Sequence, residues 1–91
     1  MPSSTDAPIN SMQTMAKSGS NMAEILTFVA KQQGIEEQLV LMELCRDAFG
    51  CGLGKVTAIG AWWHDHSCEL SDEALNDYIG YVVTDYLEGN R

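Results

Sequence analysis

Residues 71–89, SDEALNDYIGYVVTDYLEG, decide the fold class. Leu75, Tyr78, Ile79, Val82 and Tyr86 recur at the three- and four-residue spacings that place side chains on one face of an α-helix. Ser71 offers an N-cap hydroxyl, and Asp72 and Glu73 put negative charge in the first turn, at the positive end of the helix dipole. Gly89 ends the run. A helix with one apolar stripe must bury it, so the rest of the chain has to supply facing stripes.

Upstream segments supply them. Asn21 followed by Glu24 fits a capping box, with Ser20 a competing cap, and Met22, Ile25, Leu26 and Val29 fall at helical spacing. The pattern predicts a helix over 22–33, stopped by Gly34. The run from Ile35 to Phe49 places Leu41, Leu44, Cys45 and Ala48 on one face, with Glu36, Glu37, Glu43 and Asp47 mostly away from it. Gly50 is a natural left-handed C-cap for that helix. Gly50-Cys51-Gly52-Leu53-Gly54 predicts a tight turn, because three glycines in five residues permit positive φ. Beyond it, Val56, Ile59, Gly60 and Trp63 align along a short helix, with a strand over Lys55 to Trp63 as the competing reading.

Four such segments with short connections predict an all-α fold: a small bundle of about four short helices, in a single domain over residues 21–91. Its expected core is Ile25, Leu26, Val29, Leu41, Leu44, Cys45, Leu53, Val56, Trp63, Leu75, Ile79 and Val82. Residues 1–20 are rich in Ser, Thr, Asn and Gln, contain both prolines, Pro2 and Pro8, and show no sustained apolar period. They are expected to form a flexible N-terminal tail. Phe28, Val40, Met42 and Tyr81 lie off the main stripes, which admits a homodimer formed through them.

The segment Glu43-Leu44-Cys45-Arg46-Asp47-Ala48-Phe49-Gly50-Cys51-Gly52-Leu53 resembles the helix, Gly-x-Gly, helix corner of the N-terminal ubiquitin-associated-like module of elongation factor Ts. A similar Gly-x-Gly-Leu corner occurs in the C-terminal domain of the bacterial ribosomal stalk protein. The likeness spans eleven residues of 91 and implies a helical corner at Gly50. No binding residues are carried over from it, and Trp62 and Trp63 stand where the family's next helix is polar.

A chain of 91 residues forms one domain at most, and such a domain buries only about 60–65% of its unfolded surface, leaving no room for a large substrate cavity. No stretch approaches the ~18 consecutive apolar residues that span a bilayer, and no secretory signal is expected, since the first residues lack a basic region followed by an apolar one. The expected compartment is the cytoplasm. The net charge of −8 is uneven: residues 1–34 balance, residues 35–64 sum to −2, and residues 65–91 sum to −6, with Arg91 their only base. Such a surface repels phosphate backbones and steers basic partners toward it, so direct nucleic-acid binding is disfavoured.

Candidate chemistry is sparse. Gly54-Lys55 invites a phosphate-loop reading, but that motif requires glycine at Phe49 and a hydroxyl residue at Val56. The strongest metal candidates are Cys45, Cys51, His64, His66 and Cys68, since thiolate and imidazole suit tetrahedral zinc. Cys45 and Cys51 have five intervening residues, outside the usual ligand spacing, whereas His64 and Cys68 would share a helical face. The expectation is therefore no metal and no cofactor, with the cysteines as small buried hydrophobes. Cys51 beside a helix start would have a lowered thiol pKa, but no local spacing pairs it with an oriented base, and no enzyme activity is expected.

Trp62-Trp63 is the clearest binding signal, because tryptophan is enriched at interface hot spots. Adjacent helical residues diverge by about 100°, so one indole should anchor the core and the other lie at the surface. The expected function is that of a small acidic protein-binding module: an inhibitor, adaptor or regulatory subunit whose partner has a basic surface. Glu73, Asp77, Asp85 and Glu88 would supply the charge, with Trp62 or Trp63 as anchor. One version is an acidic decoy for a basic nucleic-acid-binding groove, as phage or mobile-element inhibitors can be. The alternatives are a Cys/His metal- or redox-responsive module and a structural dimerisation module.

Overall fold

A computed structural model describes residues 6–65 and 67–89. The element order is α1 (Asp6–Lys17), α2 (Met22–Gln33), α3 (Gln38–Phe49), a 3-10 segment (Leu53–Ala61) and α4 (Asp72–Gly89). Among the described residues there is no strand beyond a single parallel bridge between Trp62 and Leu70. The all-α bundle expected from the sequence is the fold. α1 packs on α2 and α3, α3 on the 3-10 segment, and α4 on α2 and the 3-10 segment.

Local chemistry sets the bounds of α2. Asn21 Oδ1 accepts from the Glu24 N–H and Glu24 Oε1 accepts from the Asn21 N–H, both at 2.9 Å, completing the capping box. A third donor at this end, the Ala23 N–H, reaches across to Asn76 Oδ1 of α4 at 2.9 Å. At the other end Gly34 adopts the left-handed conformation at φ 66°, and the Ile35 N–H returns to the Ala30 carbonyl. That closing bond draws Ile35 into the cap of α2. Consequently α3 starts at Gln38 rather than at Ile35, after an extended Glu37 whose side chain makes no cap bond. Gly50, at φ 65°, closes α3 as expected.

The flexible tail expected over residues 1–20 is corrected. Residues 1–5 lie outside the described residues, but Asp6–Lys17 is helical and delivers Met12 and Ala16, both essentially buried, to the core. Pro8, Ile9, Met12, Met15 and Ala16 recur at helical spacing, a signal diluted by the polar residues between them. Pro8 sits in the first turn, where a backbone N–H has no intrahelical partner, so the ring removes no bond. Gln13 Nε2 donates to the Ala48 carbonyl at 2.9 Å, fastening α1 to the end of α3.

The segment after the glycine turn is the short helix that the sequence allowed rather than the competing strand, but in a tighter form than an α-helix. Leu53–Ala61 is 3-10 helical with a bend at Val56 (φ −118°, ψ 17°), and Trp62 is extended. Glycines at 52, 54 and 60 weaken α-helix propensity here. The chain still directs Val56 and Ile59 into the core. The corner after Gly50 thus leads into a tighter helix than the elongation factor Ts resemblance implied.

Ten of the twelve expected core residues are buried. The Leu53 side chain lies outside the described residues. Trp63 is only half-buried, and Trp62 takes its place at 0% exposure. Extended backbone at Trp62 sends neighbouring side chains to opposite sides, which separates the indoles more fully than a helix would. A second correction concerns α4: its buried stripe is Leu75, Ile79, Val82 and Val83, with Tyr86 half-buried beside it, and Tyr78 points outward at 64% exposure.

Candidate partner-binding face

α4 carries five carboxylates and no Lys, Arg or His. Advancing roughly 100° per residue, Glu73, Asp77, Tyr81, Thr84 and Glu88 form a strip along its outer side, and Tyr78 and Asp85 widen it to about 140° of the circumference. All seven side chains are exposed. From Glu73 to Glu88 the strip runs about 22 Å at 1.5 Å per residue. The stripe opposite is buried against α2 and the 3-10 segment, so helix phase alone separates the binding candidates from the core.

Trp62 is bound to α4 by its indole N–H, which donates to Asp72 Oδ1 at 2.8 Å. Being wholly buried, it offers no surface to a partner. Trp63 is half-exposed and stacks on His64, with ring centroids 4.7 Å apart and an interplanar angle of 36°. Of the two candidate anchors it is the one at the surface. Tyr78 and Tyr81, 64% and 44% exposed, were not assigned to the binding face by sequence reasoning, although their placement between the acids marks them. The surface also exposes Phe28 and Leu39, while Val40 and Met42 are half-buried against the core.

Of the metal candidates among the described residues, only Cys45 and Cys51 are shown in contact with one another. Cys45 is buried, with its Sγ 3.9 Å from Met22 Sδ. Cys51 Sγ donates to the Cys45 carbonyl at 3.8 Å, and Cys68 Sγ accepts from Gln38 Nε2 at 3.5 Å. His66 lies outside the described residues. Among the described residues no three His, Cys, Asp or Glu side chains converge as a metal set.

Burial pushes the Cys45 thiol far above its usual pKa, and neighbouring Cys51 adds to the effect. Cys51 is also raised, by burial first, against the opposing influence of a backbone hydrogen bond and of Lys55. The lowered thiol pKa expected for Cys51 is therefore corrected: desolvation outweighs the backbone hydrogen bond and Lys55.

One open groove of about 490 Å3 lies where the C-terminal ends of α3 and α4 meet, with Tyr81, Asp85 and Asp47 in its walls. No helix of the described residues is long and apolar enough to cross a membrane. The chain matches no family model, no curated protein and no solved structure.

Proposed function

We propose that this protein is a small acidic binding module that docks a basic surface of another protein through the outer face of α4, and so acts as an inhibitor, adaptor or regulatory subunit without chemistry of its own. One observation carries the reading: Glu73, Asp77, Asp85 and Glu88 share an exposed helix face with Tyr78 and Tyr81, and α4 contributes no base. Carboxylates steer a cationic partner at long range, and tyrosine rings add contact area and attract cations at short range. Trp63, half-exposed, is the remaining candidate for an apolar contact. The setting is cytoplasmic, consistent with three cysteines carried as free thiols.

Charge density separates two versions of this function. Four carboxylates over about 22 Å of helix axis give one charge per ~5.6 Å, whereas one DNA strand carries a charge per ~3.4 Å and a duplex one per ~1.7 Å. The face is too sparse to replace a duplex. A basic groove or helix of a protein fits it better, and the decoy version reduces to occupying a short part of a single-strand track.

The test is a variant with Glu73, Asp77, Asp85 and Glu88 changed to Gln or Asn, titrated against a basic partner recovered from the native host. Association should slow and lose its salt dependence, while circular dichroism stays helical because the four positions lie off the buried stripe. Wild-type binding should weaken at 1 M salt, where the Debye length falls to about 3 Å. Unchanged affinity in the neutralised variant would move the binding surface to Trp63 and its neighbours.

A further inference from the structure

The groove at the ends of α3 and α4 has an unusual electrostatic construction. α3 closes at Gly50 and α4 runs to Gly89, and both residues line it. Each helix C-terminus presents carbonyls equivalent to roughly half a negative charge. Asp47 and Asp85 add carboxylates to the same walls. α3 offsets its own end with Arg46, whose Nε donates to Asp47 Oδ1 at 3.0 Å. α4 does the reverse: Asp85 stands one turn from its end, and no basic residue occupies its last turn. An acid near a negative helix terminus opposes stability; with Lys55 the one base among the described lining residues, the walls carry more negative than positive charge and favour a further cation.

The walls also select among cations. Tyr81 lies one turn before Asp85 on the same row and is 44% exposed. Tyr86 is held edge-on against Phe49, with centroids 5.2 Å apart and planes at 62°. Lys55 lines the groove as well, so an occupant must gain more than charge attraction. A lysine ammonium is a compact, strongly hydrated point charge. A guanidinium is planar and weakly hydrated; it stacks on aromatic rings and grips a carboxylate through two parallel N–H bonds.

We infer that this groove receives an arginine side chain of the basic partner, with the guanidinium on Asp85 and its plane against Tyr81. The inference rests on the basic-partner reading above and adds a position and a residue preference to it.

The full-length protein should be titrated calorimetrically, at low salt, with tetra-arginine and tetra-lysine peptides of otherwise identical sequence. The arginine peptide should bind roughly fivefold more tightly, the size of one exposed cation–ring contact. Tyr81→Leu should bring the two peptides to equal affinity while leaving the lysine peptide unchanged, and Asp85→Asn should weaken the arginine peptide more than Glu73→Gln does. Circular dichroism of each variant checks that the helices persist. Equal binding of both peptides to the wild type overturns the arginine inference and leaves the basic-partner reading standing. An arginine preference that survives both groove variants overturns the location. Failure of both peptides to bind overturns the inference and the basic-partner reading together.

Discussion

The Trp62 indole N–H donates to Asp72 Oδ1 at 2.8 Å, joining the residue that follows the 3-10 segment to the first turn of α4. The bond satisfies the polar atom of the largest fully buried side chain in the protein. It also explains how a tryptophan can fill this core: its one donor has a partner. Asp72→Ala should destabilise the fold by about 1–3 kcal/mol, because it strands a buried donor. Asp72→Asn keeps an acceptor and should cost less. Urea unfolding followed by tryptophan fluorescence measures both, and an Ala variant as stable as the wild type would show that the bond contributes nothing.

α1 is part of the core, and Met12 is its deepest side chain. Met12→Ala should cost about 2–5 kcal/mol, the range for emptying a buried methionine site. That is a large share of the roughly 5–15 kcal/mol typical of a domain. Thr14→Ala, at an exposed position of the same helix, should change stability by no more than about 0.5 kcal/mol. Equal unfolding midpoints for the two variants would return residues 6–17 to the status of a tail.

The three thiols should differ in reactivity. Cys45 is buried and its pKa is pushed far up, so alkylation of the native protein should leave it unmodified. Cys51 and Cys68, each half-buried, should react first, with Cys51 slowed by its own raised pKa. In urea all three should react at similar rates. Peptide mass spectrometry of a timed alkylation reads the order, and early labelling of Cys45 would contradict its burial.

The loop before α4 carries an acid-sensitive turn. Hydrogen bonding from the Ser67 side chain and then from the Ser67 N–H, the latter at 2.9 Å, holds the Asp65 carboxyl below its usual 3.8, with nearby His64 assisting. A carboxylate whose folded pKa is depressed supports the turn above the unfolded value, and the support is lost as pH falls through the folded one. The acid-limb shift of the Ser67 amide resonance should therefore have its midpoint below the usual aspartate value. A midpoint at or above 3.8 would remove the hydrogen bond from the account.

What could be read along the chain was the chemistry that acts within one helical turn. Asn21 and Glu24 close a capping box over three residues, Gly34 and Gly50 take positive φ where a helix has to end, and Ser71 Oγ accepts from the Ala74 N–H at 3.1 Å. Each of these bonds depends on residues adjacent in sequence. The apolar stripes of α2, α3 and α4 were legible for the same reason, since helical periodicity is a property of a single segment. So was the acidity of the α4 face, once the phase of its buried stripe was known.

The tertiary structure alone decided features whose partners are far apart in the chain. α1 forms because Met12 and Ala16 find a surface on α2 and α3, and isolated helices of its length are marginal in water. Which tryptophan enters the core turned on the extended backbone at Trp62 and on Asp72, ten residues away. The cap that Asn76 lends to Ala23 spans 53 residues, and the groove beside Asp85 exists only because two helix ends meet there. Such contacts leave no local period in the sequence, because burial and charge at these positions are set by what folds against them.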